Sequence, residues 1–211
     1  MDTDKQRTIA YYDRKAEKLV EKYKGLMEFY RRSEFQQFID FLPAREPAGD
    51  GFTRQYVLDI GCGGGDHAAY FTECGLGVEC IDISPRMVEI AKSKGLDACV
   101  MDIENMKFGP EQFHGGWAVT SFPHIPKARM PQVVDKLHEI LKQDGILYAC
   151  VKQGDGEGLI ADKDDPDTPR FFAFYRDEEF RELFKNRFTL LDFRQPVVGE
   201  TTFLQYFFKK R

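Results

Sequence analysis

The pattern of apolar and polar positions divides the chain into a helical opening and a longer stretch in which strands and helices alternate. Ile9, Tyr12, Ala16, Leu19, Val20, Tyr23, Met27 and Tyr30 recur at steps of three and four. That period predicts helix with one apolar stripe across the first forty residues. Ser33 with Gln36 has the form of a capping box and predicts a second helix carrying Phe35, Phe38, Ile39 and Leu42. Pro43 and the segment 47–51 end that helix in a loop.

From residue 56 the runs shorten. Tyr56–Ile60 and Val78–Ile83 are apolar runs of strand length, with a helix expected between them at 66–74. Ser84 and Pro85 have the N-cap and first-turn chemistry of another helix, and Gly95 closes it. Strands follow at 98–101 and 117–121, then a helix at 129–142 and a strand at 146–152. Such alternation predicts an α/β protein with a parallel sheet covered by helices on both faces. The end differs: after a helix at 177–186, strands at 188–194 and 202–209 come in succession and imply an antiparallel pair at the sheet edge. Residues 153–169 are polar and rich in Gly and Asp, and read as one long loop at the ligand-binding end of the sheet.

A length of 211 residues suits one domain, with 1–45 as a helical cap, 52–152 as a core and 153–211 as a substrate loop and closing strands. Apolar residues make up 42%, enough for a packed interior, and the nineteen Phe and nine Tyr offer flat surfaces for gripping a ring. A net charge of −5 speaks against a nucleic-acid partner. The five cysteines have no paired spacing, which reads as reduced thiols of a cytoplasmic protein with neither disulfides nor a zinc site. No apolar run is of signal-peptide or membrane-spanning type.

The chemistry is concentrated in Val57-Leu58-Asp59-Ile60-Gly61-Cys62-Gly63-Gly64-Gly65, a strand running into D-x-G-x-G-x-G. Glycines let the backbone turn tightly and a ligand approach closely. A dinucleotide fingerprint would require glycine where Asp66 stands, and a carboxylate there opposes a pyrophosphate at the helix start. Asp59 at the strand end adds a second acid, which suits a cationic ligand without phosphate. Asp82 closes the next strand about twenty positions beyond Gly61, the spacing of an acid that grips ribose hydroxyls. A surface aspartate before the Ser84 cap is the plainer alternative. Asp102 with Ile103 ends the third strand, where a carboxylate and the next backbone N–H can read an adenine edge. Ile83 and Met87 are placed to cover its faces, unless Met87 is simply core.

The strings VLDIGCGGGDHA, VECIDISPRMVEIAK, VMDIENM, WAVTSFPHIPK and LKQDGILYACVKQGDGEG, in this order, resemble the successive motifs of class I S-adenosylmethionine-dependent methyltransferases. The resemblance is close over roughly 52–152 and looser beyond. It implies a Rossmann-like, seven-stranded, mostly parallel sheet with an antiparallel last strand, helices on both faces and an N-terminal helical cap. It implies S-adenosylmethionine as cofactor, held by Tyr12, Asp59, Gly61, Cys62, Gly63, Asp82, Ile83, Met87, Asp102, Ile103 and Thr120, with Tyr12 over its methionine part. Two departures are His114, where the fourth motif usually has an acid, and the triple glycine of the loop.

Methyl transfer needs alignment of the reactants and, for a protonated acceptor, a base. His124, after the fourth strand, is the candidate base; a structural hydrogen-bonding histidine is the alternative. Lys152, Arg170 and Tyr175 flank the polar loop and suit an anionic acceptor, although Arg170 pairing with a nearby aspartate would merely order that loop. The expected acceptor is a small molecule. A protein or RNA acceptor, a dinucleotide oxidoreductase and a non-catalytic binding module are the competing readings.

Overall fold

Val57 and Leu58 are sequence neighbours that pack into different cores, one on each side of a sheet. In the computed structural model of the protein, which describes residues 3–30, 33–44, 54–162 and 165–211, this alternation organises the fold. The elements in chain order are α1 (Thr3–Tyr30), α2 (Glu34–Phe41), β1 (Tyr56–Ile60), α3 (Asp66–Glu73), β2 (Gly77–Asp82), α4 (Pro85–Ser93), β3 (Asp97–Val100), β4 (Phe113–Val119), α5 (Met130–Ile140), β5 (Leu141–Lys152), β6 (Glu157–Asp162), β7 (Asp165–Ala173), α6 (Asp177–Phe184), β8 (Phe188–Arg194), β9 (Val197–Val198) and β10 (Thr201–Lys210).

The main sheet runs β3-β2-β1-β4-β5-β10-β8, with short β9 pairing beside β10. β3, β2, β1, β4 and β5 are mutually parallel, and β10 is antiparallel to both β5 and β8. The α/β sheet with its antiparallel last strand is therefore as expected. Strand order reverses between β1 and β4, which opens a crevice at their C-terminal ends. The face under α5 and α6 buries Leu58, Ile60, Val134, Phe180 and Phe208; the face under α2 and α3 buries Val57, Phe38, Phe71, Trp117 and Phe207. Among the described residues no helix is long and apolar enough to cross a membrane.

Several local expectations change. β4 begins at Phe113, before the expected start, and runs through Gly115 and Gly116. A Cβ on Gly115 would stand 2.6 Å from Leu42 and 2.7 Å from Phe38, so glycine here admits α2 against the sheet. Ser33 does not cap α2: its hydroxyl donates to Glu34 (3.1 Å) and accepts from Arg194 (2.7 Å). Ser84 does cap α4, accepting from Met87 N at 3.2 Å, while its hydroxyl donates to Asp13 of α1 at 2.5 Å.

The expected long loop at 153–169 is largely an antiparallel hairpin of β6 and β7. Its polar residues concealed a strand because they bind outward to another element. Arg14 of α1 pairs with Asp165 and Thr168, and Lys15 reaches Asp165 at 3.1 Å. Phe171 and Phe172 supply the buried side. α1 thus packs on β7 and on α4. Its buried residues are Thr8, Tyr11, Ala16 and Leu19, so Tyr11 joins the stripe and Tyr23 is exposed. The expected loop at 47–51 and the side chains of Met27 and Tyr30 lie outside the described residues.

Candidate active site

The turn after β1 is tied to the end of β2. Ile81 O accepts from Gly61 N (2.8 Å) and Cys62 N (3.0 Å), and Asp82 Oδ2 accepts from Gly63 N (2.9 Å). Gly61 has φ +73°, and a Cβ there would lie 2.5 Å from Ser121 Cβ. Gly63 has φ +53° and faces open space. Gly61, Cys62 and Gly63 line a cavity of about 470 Å³, within the size range of small-molecule sites.

The three acids divide. Asp82 and Asp102 line the cavity, whereas Asp59 is buried beneath it and does not. Burial, then the charge of Asp82, raises the Asp59 carboxyl to about 8, so it is largely protonated near neutrality. Burial likewise raises Asp82, against hydrogen bonds from the backbone of Ser84 and Gly63. Asp102 accepts from Lys5 Nζ (2.7 Å), Asn105 Nδ2 (2.9 Å) and Glu104 N (3.0 Å). Its carboxyl is lowered: burial opposes the shift, and the hydrogen bonds from Lys5, Glu104 and Asn105 outweigh it. Ile83, Met87 and Ile103 line the cavity between these acids. Met87 is also core, packed with Tyr11, Ala16 and Leu19 of α1.

α1 forms the roof. Lys5, Thr8, Tyr12, Val20 and Tyr23, spaced along one face of the helix, line the cavity. Tyr12 Oη lies 2.7 Å from His124 Nε2, and His124 Nδ1 lies 2.8 Å from Phe171 O. A carbonyl only accepts, so Nδ1 carries the proton and Nε2 receives the Tyr12 hydroxyl. Burial foremost lowers His124 to about 4, with the charges of Arg170 and Lys152 acting in the same direction. Burial also raises Tyr12 strongly. Both rings are therefore neutral at physiological pH.

Thr120 follows β4 with φ +54°, a left-handed conformation that a β-branched residue adopts only when its surroundings impose it. Its N–H bonds Cys150 O at 2.8 Å, its neighbour Ser121 contacts Gly61, and it lines the cavity. The Ser121 hydroxyl, also a lining group, has no hydrogen-bond partner among the described residues.

Lys152, Arg170 and Tyr175 are not in the cavity lining. Arg170 stacks over Tyr11 at 3.9 Å and Phe172 at 4.9 Å, and Lys152 lies 4.8 Å over Phe172. Tyr175 is fully buried against Phe180. The sequence reading instead missed Lys5, Glu34, Phe35, Phe203 and Gln205, all of which line the cavity. They belong to segments far apart in the chain with no motif of their own. His67 also lines it; Trp117 Nε1 donates to its Nδ1 at 3.1 Å, and burial lowers it to about 4. His114, the departure in the fourth motif, accepts from Tyr56 N at 3.0 Å and joins β4 to β1 instead of reaching the cavity.

Residues 57–145 match the family described as methyltransferase domain. An uncharacterised methyltransferase of Synechocystis is 29% identical over 95 residues, 44% of this chain and 45% of that protein, so the match spans less than half of the relative's length. A Methanosarcina mazei S-adenosylmethionine-dependent methyltransferase superposes with TM-score 0.68 at 17% identity, covering 74% of this chain and 92% of its own. Burkholderia thailandensis 1,6-didemethyltoxoflavin-N1-methyltransferase superposes with TM-score 0.64 at 21% identity over 92% and 86% of the two chains. The last two are likenesses of fold. The matched methyltransferase-domain segment thus runs from β1 into β5 and carries the glycine loop at the strand-order reversal, within a fold that these methyltransferase structures share.

Proposed function

We propose that the protein methylates a small-molecule acceptor bound beside the cofactor under α1. The observation that carries this reading is the roof that α1 supplies: one cavity holds the glycine loop and acids on its floor, Tyr12 above them and an aromatic sector beyond. A site roofed by the chain's own helix suits a metabolite, whereas a protein or RNA acceptor needs an open docking face.

The residues present fit the cofactor. Its sulfonium and ammonium charges suit a lining that includes Asp82, Asp66, Asp102 and Glu104 and offers no cluster of cations for phosphate. Asp82 keeps spare lone pairs on both oxygens for ribose hydroxyls, since each accepts one backbone N–H. Asp102 and Ile103 would meet the adenine edge, Ile83 and Met87 its faces. Gly61, Cys62, Gly63, Thr120 and the orphaned Ser121 hydroxyl would surround the methionine part. The cofactor supplies an electrophilic methyl group.

The chain's own contribution is placement and proton handling. Tyr12 donates to His124, so the lone pairs of its oxygen remain to accept a proton or hydrogen bond from the acceptor. His124, the expected base, is then a positioning residue that fixes the Tyr12 hydroxyl and can take its proton. The odd number and unpaired spacing of the five cysteines support a cytoplasmic setting.

The test is methyl-labelled S-adenosylmethionine incubated with the protein and host-cell extract, followed by separation into small-molecule, protein and RNA fractions. Label is expected in the small-molecule fraction. Label confined to protein or RNA overturns the reading.

A further inference from the structure

Past the glycine loop the cavity continues into a sector whose composition selects the acceptor. Phe35, Trp117, Tyr148 and Phe203 form its walls. Trp117 and Tyr148, opposite each other on β4 and β5, stack with centroids 4.0 Å apart at 15°, and Phe35 lies 4.8 Å from Trp117. The faces of Trp117 are covered by Tyr148 and Phe35, and Tyr148 is covered on its other side by Phe207, so these walls favour a flat ring that meets them edge-on.

The polar groups of the sector are acceptors. Glu34 lines it, and its charge raises both Cys150 and Tyr148 in addition to the effect of their burial, which places the carboxylate beside them. Arg194 is its ion-pair partner at 3.8 Å, but that guanidinium also pairs with Asp192 at 3.2 Å and donates to Ser33 at 2.7 Å. Counting Glu34, Asp192 and Arg194 together, one negative charge remains. Gln205 Oε1 is buried in the same sector without a hydrogen-bond partner among the described residues.

Cations are scarce. Among the described lining residues Lys5 is the one basic side chain, and it is bound to Asp102 and Glu104 at the far end. His67 and His124 are neutral, as their burial requires. Among the described lining residues, an anionic acceptor would meet a carboxylate and an amide oxygen with no cation of the lining facing it.

We propose that the acceptor is a flat aromatic compound bearing N–H donors, neutral or cationic, seated against Trp117 and Tyr148 and oriented by Glu34 and Gln205, and that the sector rejects anions. This inference rests on the methyltransferase reading above and narrows it. It replaces the expectation of an anionic acceptor at Lys152, Arg170 and Tyr175, which lie outside the cavity.

Trp117 is the single tryptophan of the chain, so its emission reports occupancy of this sector. With the protein saturated in S-adenosylhomocysteine, as verified by calorimetry, emission is titrated with benzamide, benzamidine and benzoate, three probes of one shape and different charge. Saturable changes with benzamide and benzamidine at concentrations about ten-fold below those needed for benzoate are expected. Glu34→Gln is expected to weaken benzamidine about three-fold or more while sparing benzamide, with S-adenosylhomocysteine binding as the check that the variant folds. Benzoate binding as tightly as benzamidine, or no response to any probe on the saturated protein, overturns the inference and leaves the methyltransferase reading standing. Failure of S-adenosylhomocysteine to bind at all overturns both.

Discussion

Tyr12 of the N-terminal helix and His124 of the segment after β4, held 2.7 Å apart, join the roof of the cavity to its floor. The tautomer is set from outside the pair, because Phe171 O can only receive the Nδ1 proton. Phe171 lies on β7, so the hairpin that packs on α1 also orients the histidine. The hydroxyl in the cavity is therefore aimed by three segments that meet only in the folded chain.

Tyr12→Phe keeps the ring and removes that hydroxyl. If Tyr12 handles the acceptor proton, kcat falls about 100-fold with little change in KM for the cofactor. Because His124 protonates only at about 4, kcat also shows no inflection of histidine origin between pH 5 and 8. Steady-state kinetics across that range check both statements. An unchanged kcat in Tyr12→Phe removes the tyrosine from proton handling, and an inflection near 6.5 in the wild type would mean that His124 is not held as the geometry requires.

Asp82 secures the glycine loop as well as facing the cavity, since Gly63 N and Ser84 N both donate to it. Asp82→Ala is expected to weaken S-adenosylhomocysteine by about 30-fold or more, through lost ribose contacts and a loosened loop. Asp82→Asn, which retains an acceptor oxygen, should lose less. Calorimetry on the two variants decides; affinity unchanged in Asp82→Ala contradicts the ribose assignment.

Much of this was legible in the sequence, for identifiable reasons. The sheet could be read because strands buried on both faces are short apolar runs, and Ser84–Pro85 carries cap chemistry within two residues. The floor of the cavity could be read in Gly61, Gly63, Asp82 and Asp102, which lie where their motifs stand in the chain, but not in Asp59, which is buried beneath it. The hairpin at 157–173 could not, since its polar residues pair with Arg14 and Lys15, more than a hundred positions away. The strand expected at 117–121 starts earlier, at Phe113, and only the packed α2 shows why it holds glycine at 115. Glu34 and Gln205 carry no local pattern, and the aromatic sector they line exists only once β5 and β10 pair.

Thr120 tests whether the strained turn after β4 serves the site. A β-branched residue at φ +54° costs on the order of 1–2 kcal/mol relative to an unstrained backbone, and glycine escapes that cost. Thr120→Gly should therefore match or exceed wild-type thermal stability by up to about 1 kcal/mol, despite losing a half-buried side chain. Weaker S-adenosylhomocysteine binding in the same variant would tie the strain to ligand placement. A clearly lower melting temperature would show that the Thr120 side chain contributes more by packing than its backbone loses.

Asp59 and the two cavity histidines give stability an unusual dependence on pH, with opposite signs. The Asp59 carboxyl is raised from 3.8 to about 8 by burial and by Asp82, so between these values the folded state holds a proton that the unfolded state releases. Stability from this group is present below 3.8 and declines as pH rises towards 8. His67 and His124 are lowered from 6.5 to about 4, so over that window the unfolded state binds the extra protons and stability declines as pH falls. Together the shifts predict greatest stability in the mildly acidic to neutral range and losses on both sides. Asp59→Asn, a near-isosteric mimic of the protonated acid, should weaken the alkaline decline to the part that the raised Asp82 carboxyl contributes, while leaving the acidic one, and His124→Gln should make the acidic decline shallower. Urea midpoints measured from pH 4 to 9 check this. A wild-type profile flat between 6 and 9, or an alkaline decline undiminished in Asp59→Asn, would mean that Asp59 is ionised in the folded protein and that its buried oxygen has found a partner.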